Sequence, residues 1–166
     1  MGIYDEIKAG AGTYVIQELT LTKIRHPFAK GMLTADGIQY SSAVSLGSTD
    51  TVIEAVEVKQ PAGYVLEQVE FGLTGWLSAT GAGESIIWKL QASDNNSDWQ
   101  NLHDEVTKGE NVGEGDVSRS GRPAPTGNFL GTGASVYLRM VARTAATGKT
   151  GKTKSSSYIE LRYRRA

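Results

Sequence analysis

The sequence predicts an all-β fold, a two-sheet antiparallel β-sandwich of jelly-roll type with long Gly-rich loops, and three observations predict it. Apolar residues recur with period 2 in several segments, which sets one face of a strand against a core. Clusters of Gly, Pro, Asn, Asp and Ser separate those segments, as turns require. No window of 11 or more residues sustains the i, i+3, i+4, i+7 stripe of an amphipathic helix. The 20 Gly, 15 Thr and 14 Ser against 3 Met fit the same class, since these residues favour turns and strands over helices.

Taken in order, residues 1–12 read as an N-terminal arm in which Ile3 to Lys8 could make one helical turn. Tyr14 to Arg25 is a strand candidate, residues 26–37 an irregular stretch, and Ile38 to Leu46 and Thr51 to Val58 two further strands. Val65, Val69, Phe71 and Leu73 share a register, as do Ile86, Trp88, Leu90 and Ala92, then Val136, Leu138, Met140 and Ala142, and finally Ile159, Leu161 and Tyr163. Between them fall Gly47-Ser-Thr-Asp50, Pro61-Ala-Gly63, Gly81-Ala-Gly83, Asp94-Asn-Asn-Ser97 and the Gly/Lys/Ser stretch Thr147 to Ser157. Residues 107–134 hold seven Gly and two Pro with few alternating apolar positions and read as one long loop, of the kind that is functional or ordered against a partner. The expectation is seven or eight strands in one domain spanning residues 1–166. Strands with one apolar face must bury it against a second sheet, so a sandwich is the economical architecture and a closed barrel the alternative.

Composition narrows function by exclusion. Hydrophobic residues are 39% and charged residues 21%, with no run near the 18 apolar residues of a membrane helix, so no membrane partner is expected. Cysteine is absent, which removes disulfides, thiolate metal sites and a Cys nucleophile. The start, Met1 to Lys8, carries Asp5 and Glu6 and lacks the basic and apolar regions of a signal peptide. Net charge is −1, yet residues 1–116 hold 7 basic and 17 acidic side chains and residues 117–166 hold 10 and 1. Such a split suits a basic strand face neutralised by the acidic part of the same chain or of an adjacent copy.

The tightest chemical pattern is Asp94, Asn96, Asp98 and Glu105, oxygen ligands at positions 1, 3, 5 and 12 of an EF-hand-like loop. Trp99 stands where that loop needs Gly, and the flanks read as strands, so a hairpin turn competes with a calcium site. Only His26 and His103 are present, and neither belongs to a catalytic motif. Glu67 and Glu70 fall on opposite faces of their strand, which leaves a glycosidase without a defined carboxylate pair. Gly148-Lys-Thr150 and Gly151-Lys-Thr153 imitate the end of a phosphate-binding loop, but Arg143 and Ala146 replace its leading Gly. No aromatic is interleaved among these lysines, so no nucleic-acid partner is expected, and no cofactor motif is present.

The stretch Ile87-Trp-Lys-Leu-Gln-Ala-Ser-Asp-Asn-Asn-Ser-Asp-Trp-Gln-Asn-Leu102 resembles the hairpin of discoidin-like and other jelly-roll modules, where a strand ending in Ser-Asp turns back through a Trp. It is also similar to phrases in β-sandwich proteins of virus and phage particles. The resemblance covers sixteen of the 166 residues and implies the fold; it departs from discoidin-like modules in having no Cys.

Together these features suggest a virion structural protein, a capsid decoration or capsid-associated subunit located in the virion, which tiles an assembly as a homo-oligomer or against other capsid subunits. Lys149, Lys152, Lys154, Arg162, Arg164 and Arg165 are the candidate assembly residues, acting jointly with the 107–134 loop. The alternative is a glycan-binding module with Trp76 or Trp99 as the stacking platform; a hydrolase is the weakest reading, and the protein is expected not to be an enzyme.

Overall fold

The alternating registers become strands packed face to face. A computed structural model describes residues 40–154 and 156–166 in full and the backbone of residues 23–27. The described residues form no helix and eleven strands: β1 Lys23–Pro27, β2 Val44–Ser45, β3 Thr51–Lys59, β4 Tyr64–Leu77, β5 Ile86–Ser93, β6 Gln100–Asn101, β7 Val106–Lys108, β8 Gly115–Gly121, β9 Ser135–Arg143, β10 Thr150–Thr153 and β11 Tyr158–Arg165. The expected arm at residues 1–12, most of the Tyr14 to Arg25 candidate and the irregular stretch 26–37 lie outside the fully described residues.

Every strand pairing is antiparallel. One sheet runs β1-β11-β4-β10-β2, with β8 on the other edge of β4; the second runs β3-β9-β5-β6, with β7 also on β5. From β3 the chain crosses between the sheets at nearly every long connection, so β1-β11-β4-β8 faces β3-β9-β5-β6/β7. That interleaving is the jelly roll.

The shared faces hold one buried cluster. Trp88, Leu90 and Ala92 of β5, Val136, Leu138 and Met140 of β9, and Ile159 and Leu161 of β11 all meet there, essentially without solvent contact. Burying a side chain of this size contributes about 1.5–3 kcal/mol. One register departs from the sequence expectation. Leu66, not Val65, is buried, because the β4–β11 pairing shifts between Arg162 and Tyr163, leaving an extra residue on β4.

Two further corrections concern loops. Residues 107–134 are not one continuous loop: β8 lies inside that span and pairs with β4 from Phe71↔Gly121 to Leu77↔Gly115. Its sequence, Gly115-Asp-Val-Ser-Arg-Ser-Gly121, lacks apolar alternation because only Val117 packs against the core. Similarly, Thr147 to Ser157 contains β10, inserted between β4 and β2. Gly151 is buried there, and a Cβ would come within 2.7 Å of Ile53, so the lack of a side chain permits the close approach.

Candidate functional site

The remaining loop, residues 122–134, is built from its polar anchors. Asp94 follows the last residue of β5, and the turn beyond it is made by Asn95, whose Oδ1 accepts from the amides of Ser97 and Asp98, each at 2.9 Å. Asn96 takes a left-handed φ of 61°, which Asn tolerates. The Asp94 carboxylate is thereby free to reach across: its Oδ2 accepts from the Leu130 amide and its Oδ1 from the Gly131 amide, both at 2.9 Å. Gln100 Oε1 accepts from the Asn128 amide at 3.2 Å, and Gln60 Nε2 donates to the carbonyls of Gly131 at 3.0 Å and Gly133 at 2.6 Å.

Phe129 is sunk completely into the core beside these anchors, and Gly131 has φ +69° where a Cβ would come within 2.7 Å of Leu66. Between the two, Leu130 points out and is 54% exposed. It borders a surface depression of about 590 Å³ with Val65, Pro125, Glu67, Arg162 and Arg164. Fixed backbone on both sides of an exposed Leu makes a rigid apolar knob, which loses little conformational entropy on contact.

The four EF-hand-like oxygen donors are not brought together. Asp94 is committed to the two amides, Asp98 Oδ2 accepts from Asn95 Nδ2 at 2.7 Å, and Glu105 lies on the outer face of the β3-β9-β5 sheet. No group of three or more His, Asp or Glu placed to hold a metal ion occurs among the described residues. Asp98 here serves the turn, Asp94 the loop clamp and Glu105 an ion-pair cluster.

The candidate assembly residues are engaged within the chain. Lys149 pairs with Glu84 at 2.7 Å, Lys154 with Asp116 at 2.5 Å, Arg162 with Glu70 at 3.0 Å, and Arg164 with Glu67 at 3.4 Å. Lys152 lies over the Trp76 ring, 4.6 Å from its centroid, and Arg165 is exposed at the end of β11. The basic C-terminal part thus meets the acidic part of its own chain. Both glycan candidates are partly covered: besides Lys152 on Trp76, the Arg139 guanidinium stacks on Trp99 at 3.8 Å. Each ring has one face taken by an intrachain cation.

A second charged cluster went unread in the sequence. Lys89 is buried on the outer face of β5, its ammonium 2.5 Å from Glu105 Oε1 and 3.0 Å from Asp50 Oδ2. Arg143 closes the ring, donating to Asp50 Oδ1 at 2.9 Å and to both Glu105 oxygens at 2.8–2.9 Å. Hydrogen bonds from Arg143, then Lys89, pull the Glu105 carboxyl down to about 2. Partial burial opposes ionisation of Asp50, yet Lys89 and Arg143 outweigh it and hold that carboxyl below its ordinary value. Every charge here is answered by another, which suits a structural staple better than proton transfer.

His103 is wedged between the rings of Phe71 and Trp88, with centroids 5.6 and 5.8 Å away. His26 lies in β1, beyond the fully described residues. The Asp94 turn is legible in the sequence, since Asp-Asn-Asn-Ser is turn chemistry; Leu130 carries no local signal, because the amides that fix it are held by Asp94, 36 residues earlier.

No protein-family profile matches the chain, and no curated protein matches it. Among solved structures, the chain is similar to that of infectious bursal disease virus Gt strain, with TM-score 0.43 and 9% identity over 84% of this chain. It spans about a third, 32%, of the length of that viral chain. It is also similar to the CBM22-1 xylan-binding domain of Paenibacillus barcinonensis Xyn10C, with TM-score 0.33 and 12% identity, covering 86% of this chain and 94% of that one.

Proposed function

We propose that the chain is a non-catalytic structural subunit, a virion protein of the capsid-decoration kind, which packs against neighbouring copies through the Leu130 face. The observation that supports this reading is the clamped, exposed Leu130, beside Arg162 and Arg164 and above a depression of about 590 Å³. Assignment to a virion in particular rests on the resemblance of the Ile87 to Leu102 hairpin to those of virus and phage β-sandwiches. The titratable groups described above are consumed in holding loops and faces, which leaves no convergent acid, base and nucleophile among them.

The Lys149 to Lys154 segment contributes less than its charge suggests, because Lys149 and Lys154 are already paired with Glu84 and Asp116. Size-exclusion chromatography with light scattering across a range of concentrations tests the reading. A defined oligomer supports it; a monomer throughout, together with retention on a glycan array lost in Trp76→Ala or Trp99→Ala, would favour the glycan-binding alternative.

A further inference from the structure

The β5 edge contains a ladder position filled by a side chain. β6 pairs with Gln91 and Ala92, and β7 pairs with residues 86–88, so neither strand covers Leu90. The Leu90 carbonyl accepts from the Leu102 amide at 2.9 Å. Its amide, which a regular ladder would give to a carbonyl, donates instead to His103 Nε2 at 3.1 Å. Nε2 must then carry a lone pair, and the neutral tautomer has its proton on Nδ1, which donates to the Asp104 carbonyl at 2.7 Å. Protonation adds a hydrogen to the one nitrogen that has to accept.

The groups facing this ring make the charged form less favourable still. β4 and β5 contribute the rings of Phe71 and Trp88. β8 contributes Arg119, whose charge repels an imidazolium, and the ring's own segment contributes Asp104, which favours it. Burial is the largest influence and, with Arg119, outweighs Asp104, so the imidazole is held below its ordinary value.

We propose that His103 is a proton-operated latch on the Asp94–Lys108 edge of the β5 sheet: protonation sets Nε2–H against the Leu90 amide, opens β6 and β7, and withdraws Glu105 from Lys89 and Arg143. β6 and β7 are two and three residues long, so few ladder bonds resist opening. Trp99 lies in the same segment and leaves Arg139 as it opens. The latch goes beyond the assembly reading and rests on the His103–Leu90 bond, although the edge it opens also carries Gln100, which accepts from the Asn128 amide of the Leu130 loop.

NMR spectra of the wild type, His103→Gln and His26→Gln between pH 7.5 and 5.0 test it. Gln can accept from Leu90 and donate to Asp104 without titrating. In the wild type, the Leu90 amide and Trp99 indole resonances should change with the midpoint of the His103 Cε1 titration, below 6.5, and the melting temperature should fall by roughly 2–4 °C. His26→Gln should repeat this behaviour, and His103→Gln should abolish it. The proposal is overturned if the wild type shows no transition, if His103→Gln retains it, or if His26→Gln loses it. Should His103→Gln fail to fold, the wild-type titration decides: a His103 midpoint at or above 6.5, or one separate from that of Leu90, rejects the latch.

Discussion

Asp94 and Leu130 are joined across 36 residues, the Leu130 amide donating to Asp94 Oδ2 at 2.9 Å. With the parallel bond from Gly131 to Oδ1, a turn residue of one hairpin sets the shape of a loop formed elsewhere in the chain. Replacing Asp94 with Ala removes two charge-assisted hydrogen bonds and should lower stability in urea by about 1–3 kcal/mol. Asp94→Asn retains one good acceptor and should lose less; equal losses would mean that the carboxylate does not act as a bidentate clamp.

Charge reversal gives a result unlike the one the sequence suggests. Were Lys149, Lys152 and Lys154 free at a loop tip, changing all three to Glu would leave the melting temperature nearly unaltered. In the fold, the change sets acid against Glu84 and Asp116 and removes the cation from Trp76. The triple variant should melt several degrees below the wild type in low salt, with part of the loss recovered at 1 M salt.

Acid stability follows from Glu105. Its carboxyl, at about 2 in the fold, lies below the ordinary 4.5, so the folded state binds fewer protons than the unfolded chain between those values. While Glu105 stays against Lys89 and Arg143, as His103→Gln would keep it, its stabilisation is present above 4.5 and is lost as pH falls toward 2. Asp50 shifts in the same direction. With the latch held shut by His103→Gln, melting temperatures measured from pH 5 to pH 2 should therefore fall less steeply when Glu105→Gln is added than without it, from a lower starting value.

In the core, Trp88 is buried beside His103 and between the sheets. Trp88→Ala should cost about 3–5 kcal/mol in denaturant unfolding. Melting like that of the wild type would contradict its placement.

The sandwich was legible because burial on a pleated strand imposes period 2: β11 alternates in burial through Tyr163, and β5 and β9 keep their apolar core residues two apart even though Lys89, Gln91 and Val141 between them are also buried. Val65 was misplaced because a bulge is a property of two paired strands and has no mark in either alone. β8 was invisible because its partner, β4, supplies most of the apolar face it needs. The charge split was legible as a number, yet which acid meets which base depends on strand order, and the pairing of Arg162 with Glu70 spans 92 residues. The Leu130 knob was hidden for the same reason.

Sedimentation velocity of the wild type and Leu130→Asp, at 0.1 M and 1 M salt, tests the central claim most directly. The Debye length falls from about 10 Å to about 3 Å over that range, which weakens exposed charge contacts and spares apolar ones. With the basic residues already paired inside the chain, the wild type should self-associate at both salt concentrations, and Leu130→Asp should sediment as a monomer with an unchanged melting temperature. A wild type that remains monomeric at high concentration, or a Leu130→Asp variant that associates as strongly as the wild type, would contradict assembly through this face.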